Sequence, residues 1–263
     1  MESICIHCGR SFAGNYCNNC GQKAFQRVDG KYIWNEFQYT VLHTNKGFLY
    51  SIKKILINPG KTAKEFLDGK RVNHYKPLTL TFILSGISAF VSVKLLGLMK
   101  LIEKFYSDQH LDSEMMRDYT AFSSSYSSII MLACIPLFAL CTWLAFKKWG
   151  HNYYEHIILN SYILSFYTLI NLLLVYPVMF LLKSNPEFVI NLSYVSMLLI
   201  IPILIWFFKE FYAEKPINKV ITRIMITLLF VLAGSLLLIL VGIIAGLIMA
   251  KANPETLKYV KPQ

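Results

Sequence analysis

The sequence predicts an all-α polytopic membrane protein, with about five transmembrane helices preceded by a small four-cysteine ribbon and amphipathic juxtamembrane helices. Three observations predict it. Hydrophobic residues make up 55% of the 263 residues and charged residues 16%, with a mean hydropathy of +0.46. The apolar residues fall in runs long enough to cross a bilayer. Those runs are continuous rather than alternating, which favours helices over a barrel.

The chain opens with CIHCGRSFAGNYCNNCGQ, which places Cys5, Cys8, Cys17 and Cys20 at C-x2-C-x8-C-x2-C spacing. Each C-x-x-C turn presents two thiolates, and two turns complete a tetrahedral shell of the kind found in structural Zn2+ sites. A four-thiolate iron site would use the same ligands. Gly9 and Gly21 follow the second cysteine of each pair, where φ > 0 lets the backbone turn back towards the sulfurs. Phe12 and Tyr16 offer a small apolar cover. About 20 residues cannot bury a core, so the metal must supply most of the folding free energy, on the order of 10 kcal/mol. Four protein thiolates leave no open coordination position for catalysis. His7, inside the first knuckle, is surplus to that shell. Residues 1 to 30 contain no apolar h-region, so the ribbon is expected to stay in the reducing compartment where it is made.

Four segments are expected: the ribbon (1–25), an amphipathic juxtamembrane segment (26–77), a transmembrane helical domain (78–250) and a tail (251–263). In the second, Trp34, Phe37, Val41, Phe48, Ile52 and Ile55 form a helical apolar stripe, with a break near Asn45-Lys46-Gly47 and Lys53 and Lys54 off the stripe. Such a helix either lies in the membrane interface or packs on the membrane domain. Asn58 suits an N-cap, Pro59 the first helical position and Gly69 the C′ position, predicting a helix over 59–68 anchored by Phe66 and Leu67. Lys70, Arg71, His74, Tyr75 and Lys76 then precede the first span. They suit either plain interfacial anchoring or a lipid-headgroup site.

At these residues the chain resembles a known family. The double C-x-x-C-G ribbon, the N-P-G stretch, the E-F-L-D-G-K-R run and the H-Y-K-P lead into the first span are similar to small bacterial membrane proteins grouped as "domain of unknown function 3667". The resemblance covers about residues 5 to 100. It implies this architecture and no established activity. Family motif positions would fall on Pro59, Gly60, Gly69, Lys70, Arg71, Tyr75 and Pro77.

Spans are expected at about 78–99, 126–146, 157–182, 188–208 and 224–250. Twelve Lys and Arg residues precede the first span, whereas the 100–125 loop carries three against five acids. Alternate loops are basic and poor in basic residues. This puts the N-terminus in the cytoplasm, the 100–125 loop outside and, with five spans, the C-terminus outside, in a bacterial inner membrane. The formal charge of +11 is thereby absorbed by orientation. The ribbon lacks the basic and aromatic interleaving of a nucleic-acid surface.

Within the spans, Lys94 stands five residues from the expected outer end of the first and can snorkel. No carboxylate lies deep in any span, which argues against a carboxylate proton relay. Asn160, Tyr167 and Asn171 share one face of the third span, with Ser161, Ser165 and Thr168 beside it. Asn191 and Tyr194 are three apart in the fourth. These polar faces either glue helices, at about 0.6 kcal/mol per bond, or line a polar path between spans three and four. Pro136, Pro177 and Pro202 suit kinks. Gly242 and Gly246, with Gly234 two turns earlier, suit close helix packing in the monomer or a homo-oligomer. Cys134 and Cys141 read as inert buried thiols. His151, Glu155 and His156 lack the H-E-x-x-H spacing of a zinc helix.

The function expected is a non-enzymatic scaffold or regulatory membrane protein. Its cytoplasmic ribbon docks a partner or braces the juxtamembrane helices. The alternative is a small transporter or lipid-handling protein that uses the polar faces of spans three and four. An intramembrane enzyme would need His74, His151, Glu155 and His156 to converge.

Overall fold

A computed structural model describes residues 2–24, 28–30, 47–109 and 114–252. The ribbon begins with a short antiparallel pair, β1 (Glu2–Ile4) and β2 (Ser11–Ala13), in which Ser3 faces Phe12. Trp34, Phe37 and Val41 of the expected stripe lie outside the described residues. Its remainder forms α1 (Phe48–Ile57), which starts at Gly47, where the sequence placed a break. Ile55 is wholly buried, and Phe48 and Ile52 pack on the main core.

The next helix, α2 (Pro59–Leu67), is bounded by its own sequence signals. Asn58 Oδ1 accepts the Lys61 amide at 2.9 Å, and Pro59 fills the first position. At the far end Lys70 N–H donates to the Glu65 carbonyl and Gly69 N–H to that of Phe66, with Gly69 at φ +103. This is the Schellman closure that a C′ glycine allows. Ala63, Phe66 and Leu67 are buried in the main core. The described part of this segment, α1 and α2, is thus packed on the helical bundle.

Among the described residues, five helices are long and apolar enough to cross a membrane: Pro77–Leu95, Ser127–Trp149, Tyr153–Leu181, Pro186–Phe211 and Ile217–Ile244. The first is α3 (Pro77–Phe90), prolonged by a π-helical turn over Val91–Leu95. It stops four residues short of expectation because Gly97, at φ +64, breaks the helix. Lys94 is thus one residue from the end of the span, exposed, rather than five. The expected 100–125 loop instead holds two helices, α4 (Leu98–Asp108) and α5 (Glu114–Ser125). The second span is α6 (Ser127–Phe146), with Pro136 inside it.

The third span joins α7 (Tyr153–Ile170), a π-helical turn over Asn171–Val175 and α8 (Tyr176–Leu181). Pro177 supplies no N–H to the preceding turn, which accounts for the widened register there. The fourth span is two helices, α9 (Pro186–Leu198) and α10 (Ile200–Phe211), that meet at Leu199 just before Pro202. It outruns the expected 188–208 at both ends. Asn185 caps it by accepting the Phe188 amide at 3.1 Å, and Phe211 is buried. The last helix is α11 (Ile217–Ala252).

The main core lies at the end of the bundle nearest the ribbon. Phe66, Phe146, Tyr162, Phe207 and Phe208 are fully buried there. Phe146 stacks on Phe208 at 4.4 Å and on Tyr212 at 5.5 Å, and Trp149 meets Tyr212 edge-on at 4.7 Å. Arg223 Nη1 donates to the Ala145 carbonyl at 3.0 Å and so ties α11 to α6.

Candidate metal centre

The two C-x-x-C turns are built alike. Cys5 N–H donates to the Arg10 carbonyl and Gly9 N–H to that of Cys5. In the second turn Cys17 N–H donates to the Gln22 carbonyl and Gly21 N–H to that of Cys17. Gly9 and Gly21 take φ +74 and +71, the conformation each turn requires. Cys5, Cys17 and Phe12 are buried together. Tyr16, expected to help cover the site, is exposed and forms a bridge with Lys23.

The four sulfurs lie within 4.8 Å of one another, with Cys5 to Cys20 and Cys8 to Cys17 both at 3.6 Å. A tetrahedral ion with metal–sulfur bonds of about 2.3 Å has sulfur–sulfur edges of about 3.8 Å, so this donor set fits a four-thiolate metal ion. Its electrostatics also ask for a cation. The Arg10 backbone amide draws the Cys8 thiol down to about 6. The Gln22 amide favours the Cys20 thiolate in the same way, yet burial and the other three sulfurs hold Cys20 up to about 12. Four thiolates side by side need a positive ion. Among the described residues, no other group of three or more His, Cys, Asp or Glu is placed to hold a metal.

The ribbon is fastened to the membrane domain by a residue the sequence reading passed over. Gln22 is buried, its Nε2 donates to the Gly69 carbonyl, and its Oε1 accepts the Val72 amide at 3.1 Å. One side-chain amide thus pairs with both backbone groups of the turn that follows α2, as a neighbouring strand would. A glutamine after C-x-x-C-G carries no pattern signal, and its partners lie 47 and 50 residues away. The turn it grips is itself seated tightly. A Cβ added to Gly60 would lie 2.2 Å from the Phe207 carbonyl oxygen, so α2 and α10 touch backbone to backbone. Asn58 Nδ2 donates to Glu210 Oε2 at 2.8 Å beside this contact.

The structure divides the five residues that precede the first span. Arg71 turns inward, its Nε donating to the Phe66 carbonyl at 3.1 Å and its guanidinium lying over the Phe66 ring. Tyr75 is buried, and its amide donates to Ser51 Oγ at 2.7 Å. Lys76 is the N-cap residue of α3. Lys70 and His74 line a cavity.

The polar intramembrane residues are divided too. Asn160 Nδ2 donates to Thr142 Oγ1 of the second span at 2.8 Å, and His156 Nδ1 is 3.1 Å from the same oxygen. Thr81 Oγ1 of the first span lies 2.9 Å from the Ser161 carbonyl and 2.8 Å from Ser165 Oγ. Asn171 Nδ2 donates to the Tyr167 carbonyl of its own helix at 2.9 Å. Asn191 and Tyr194 are exposed on α9. Asn160 therefore meets the second span and Ser161 and Ser165 the first, while the polar pair of the fourth points elsewhere. His151 bonds to Tyr212, and Glu155 closes a capping box with Asn152. His74 lies in a different cavity, beside the ribbon. Gly234 and Gly242 have nothing within 4 Å of an added Cβ, and Gly246 lies in a stretch whose surroundings are outside the described residues.

Residues 45–89 match the family model described as Protein of unknown function (DUF3667). That stretch holds α1, α2, the turn gripped by Gln22 and most of α3. No curated protein matches the chain, and no solved structure does.

Proposed function

We propose that this is a non-enzymatic scaffold or regulatory protein of the bacterial inner membrane, whose ribbon holds a structural Zn2+ in the cytoplasm and presents a docking knob to a protein partner. The observation that carries the reading is the Gln22 grip on Gly69 and Val72. It makes the knob rigid with respect to the spans, so that a partner bound outside is mechanically joined to the bilayer domain. Ile4, Ile6 and Tyr16 are exposed on the knob and give it an apolar contact surface. Zinc is the ion of choice because four thiolates at tetrahedral spacing suit it and it brings no redox chemistry.

The orientation rests on the twelve Lys and Arg residues that precede the first span. Five spans then carry the C-terminus to the extracytoplasmic side. The exposed face bearing Gly234 and Gly242, continued by Gly246, is free to meet a second copy.

The test is co-purification from native membranes in mild detergent, comparing the intact protein with a Cys17→Ser, Cys20→Ser variant and assaying zinc in both. A protein that co-purifies only with the zinc-loaded form is the expected result. Loss of zinc with an unchanged co-purifying set would contradict the docking role.

A further inference from the structure

Where the first knuckle of the ribbon meets the juxtamembrane helices there is a cavity of about 260 Å³. It is lined by His7 of the ribbon, Tyr50 and Lys54 of α1, Glu65 of α2, and Lys70, Asn73 and His74 of the turn before α3. Its walls are mostly polar although it lies beside the apolar core. Lys54 and Lys70 are not ion-paired among the described residues. His74 is 8% exposed, and its Nδ1 has no hydrogen-bond partner among the described residues. Tyr50 and Phe66 meet the His74 ring edge-on and fix its plane.

We propose that this cavity binds the phosphate group of an anionic phospholipid headgroup. Lys54 and Lys70 both line a space large enough for a phosphate, Lys54 with its ammonium over the Tyr50 ring of the same wall, and Asn73 and His74 are at hand as uncharged hydrogen-bonding groups. Burial lowers the His74 pKa to about 4, so it meets the ligand as a neutral imidazole. Depth fits as well. His74 stands three residues before the start of the first span at Pro77, at most about 10 Å of chain, which is headgroup level. Among the described residues, Glu65 is the one carboxylate in the lining. It accepts a hydrogen bond from a headgroup hydroxyl, and it disfavours a bare phosphate by charge. The site therefore suits a glycerol-bearing phosphodiester better than inorganic phosphate.

This differs from a simple belt of basic residues around the first span. Arg71 bonds the Phe66 carbonyl and Tyr75 is buried in the core, while Lys54 and Glu65, remote in sequence, complete the site. Ribbon and lipid then share a wall at His7.

The test uses the metal-loaded full-length protein in uncharged detergent and reads its thermal unfolding midpoint. The added probes are dioctanoyl phosphatidylglycerol, inorganic phosphate and, as an uncharged control, dioctanoylglycerol. Phosphatidylglycerol at saturating concentration is expected to raise the midpoint by about 5 °C. A Lys54→Gln, Lys70→Gln variant should lose the shift. Lys53→Gln, an exposed lysine on the same helix that does not line the cavity, should keep it. A full shift from inorganic phosphate, lost in the same double variant, would keep the phosphate site and identify a free anion as its occupant. No shift with either anion would overturn the proposal. So would an equal shift in all three proteins, or one produced by dioctanoylglycerol.

Discussion

The two ends of the bundle are built on different terms. At the ribbon end, side chains from α1, α2, α6, α7, α10 and α11 interlock in one core, and backbone contacts as close as Gly60 against Phe207 leave no slack. At the other end a smaller core of Leu96, Val175, Met179 and Val189 remains, surrounded by exposed apolar side chains. Leu181 is 78% exposed, and every described residue of α11 from Leu232 to Ile244 is exposed. In water, that much apolar surface would cost about 25 cal/mol per Å². In a bilayer, hydrocarbon covers it at no such cost. The ribbon end borders water and polar headgroups, so it must satisfy its own polar groups and bury its own aromatics. The far end has that work done by lipid. Structural precision is therefore concentrated where the chain leaves the membrane.

This contrast can be broken or sharpened by substitution. The largest effect is expected at Gly60. Its Cβ would overlap the Phe207 carbonyl, a backbone atom that cannot swing aside. Gly60→Ala should destabilise the ribbon end by about 2–3 kcal/mol, read as a fall in the thermal midpoint. An unchanged midpoint would mean that α2 is not held against α10.

Gln22→Ala comes next. It strips the Gly69 carbonyl and the Val72 amide of their partner and should cost about 1–2 kcal/mol of docking free energy. The metal content should not change, because Gln22 supplies no sulfur. Limited proteolysis between residues 24 and 47, faster in the variant at equal zinc content, would register the loosened ribbon.

A third effect depends on pH. His74 is held neutral by burial, with Glu65 opposing the shift and Lys54 and His7 assisting it, so its pKa falls to about 4 from an ordinary value near 6.5. Between these two values the unfolded chain binds more protons than the folded one, so stability is lost as pH falls from about 6.5 towards 4. Thermal midpoints measured across that window should fall less steeply in His74→Gln than in the parent protein.

The smallest effect is expected at the far end. Gly234→Ala and Gly242→Ala meet open space, and each should change stability by no more than about 0.5 kcal/mol. Loss of a dimer in detergent with the midpoint unchanged would assign that face to a second copy.

The same contrast explains what could be read from sequence. The number of spans followed from continuous apolar runs, and both ends of α2 followed from Asn58, Pro59 and Gly69, because each signal is local. The cysteine cluster was legible for the same reason: knuckle spacing is a short-range code. Three things were not. The far limit of the first span hid in a largely apolar run, where Gly97 stops the helix and Leu98 restarts it. The helices within 98–125 are amphipathic and lack the continuous apolar run that marks a span. The joints between segments, Gln22 to Gly69, Asn58 to Glu210 and Lys54 with Lys70 and His74, link residues that only the fold brings together. The direction of the polar stripe on α7 also depended on helix order. Periodicity assigns residues to a face but does not say which neighbour that face meets.

The central claim is that a metal-built knob is locked onto the membrane domain through the turn that follows α2. The most direct measurement is hydrogen–deuterium exchange on the full-length protein in lipid nanodiscs, with and without chelation of the metal. The account predicts that chelation speeds exchange in residues 2–24 and also in the 69–76 turn, while α9 and α11 stay unchanged. If the ribbon amides exchange freely after chelation and the 69–76 turn keeps its protection in full, ribbon and turn are not coupled, and the account is wrong.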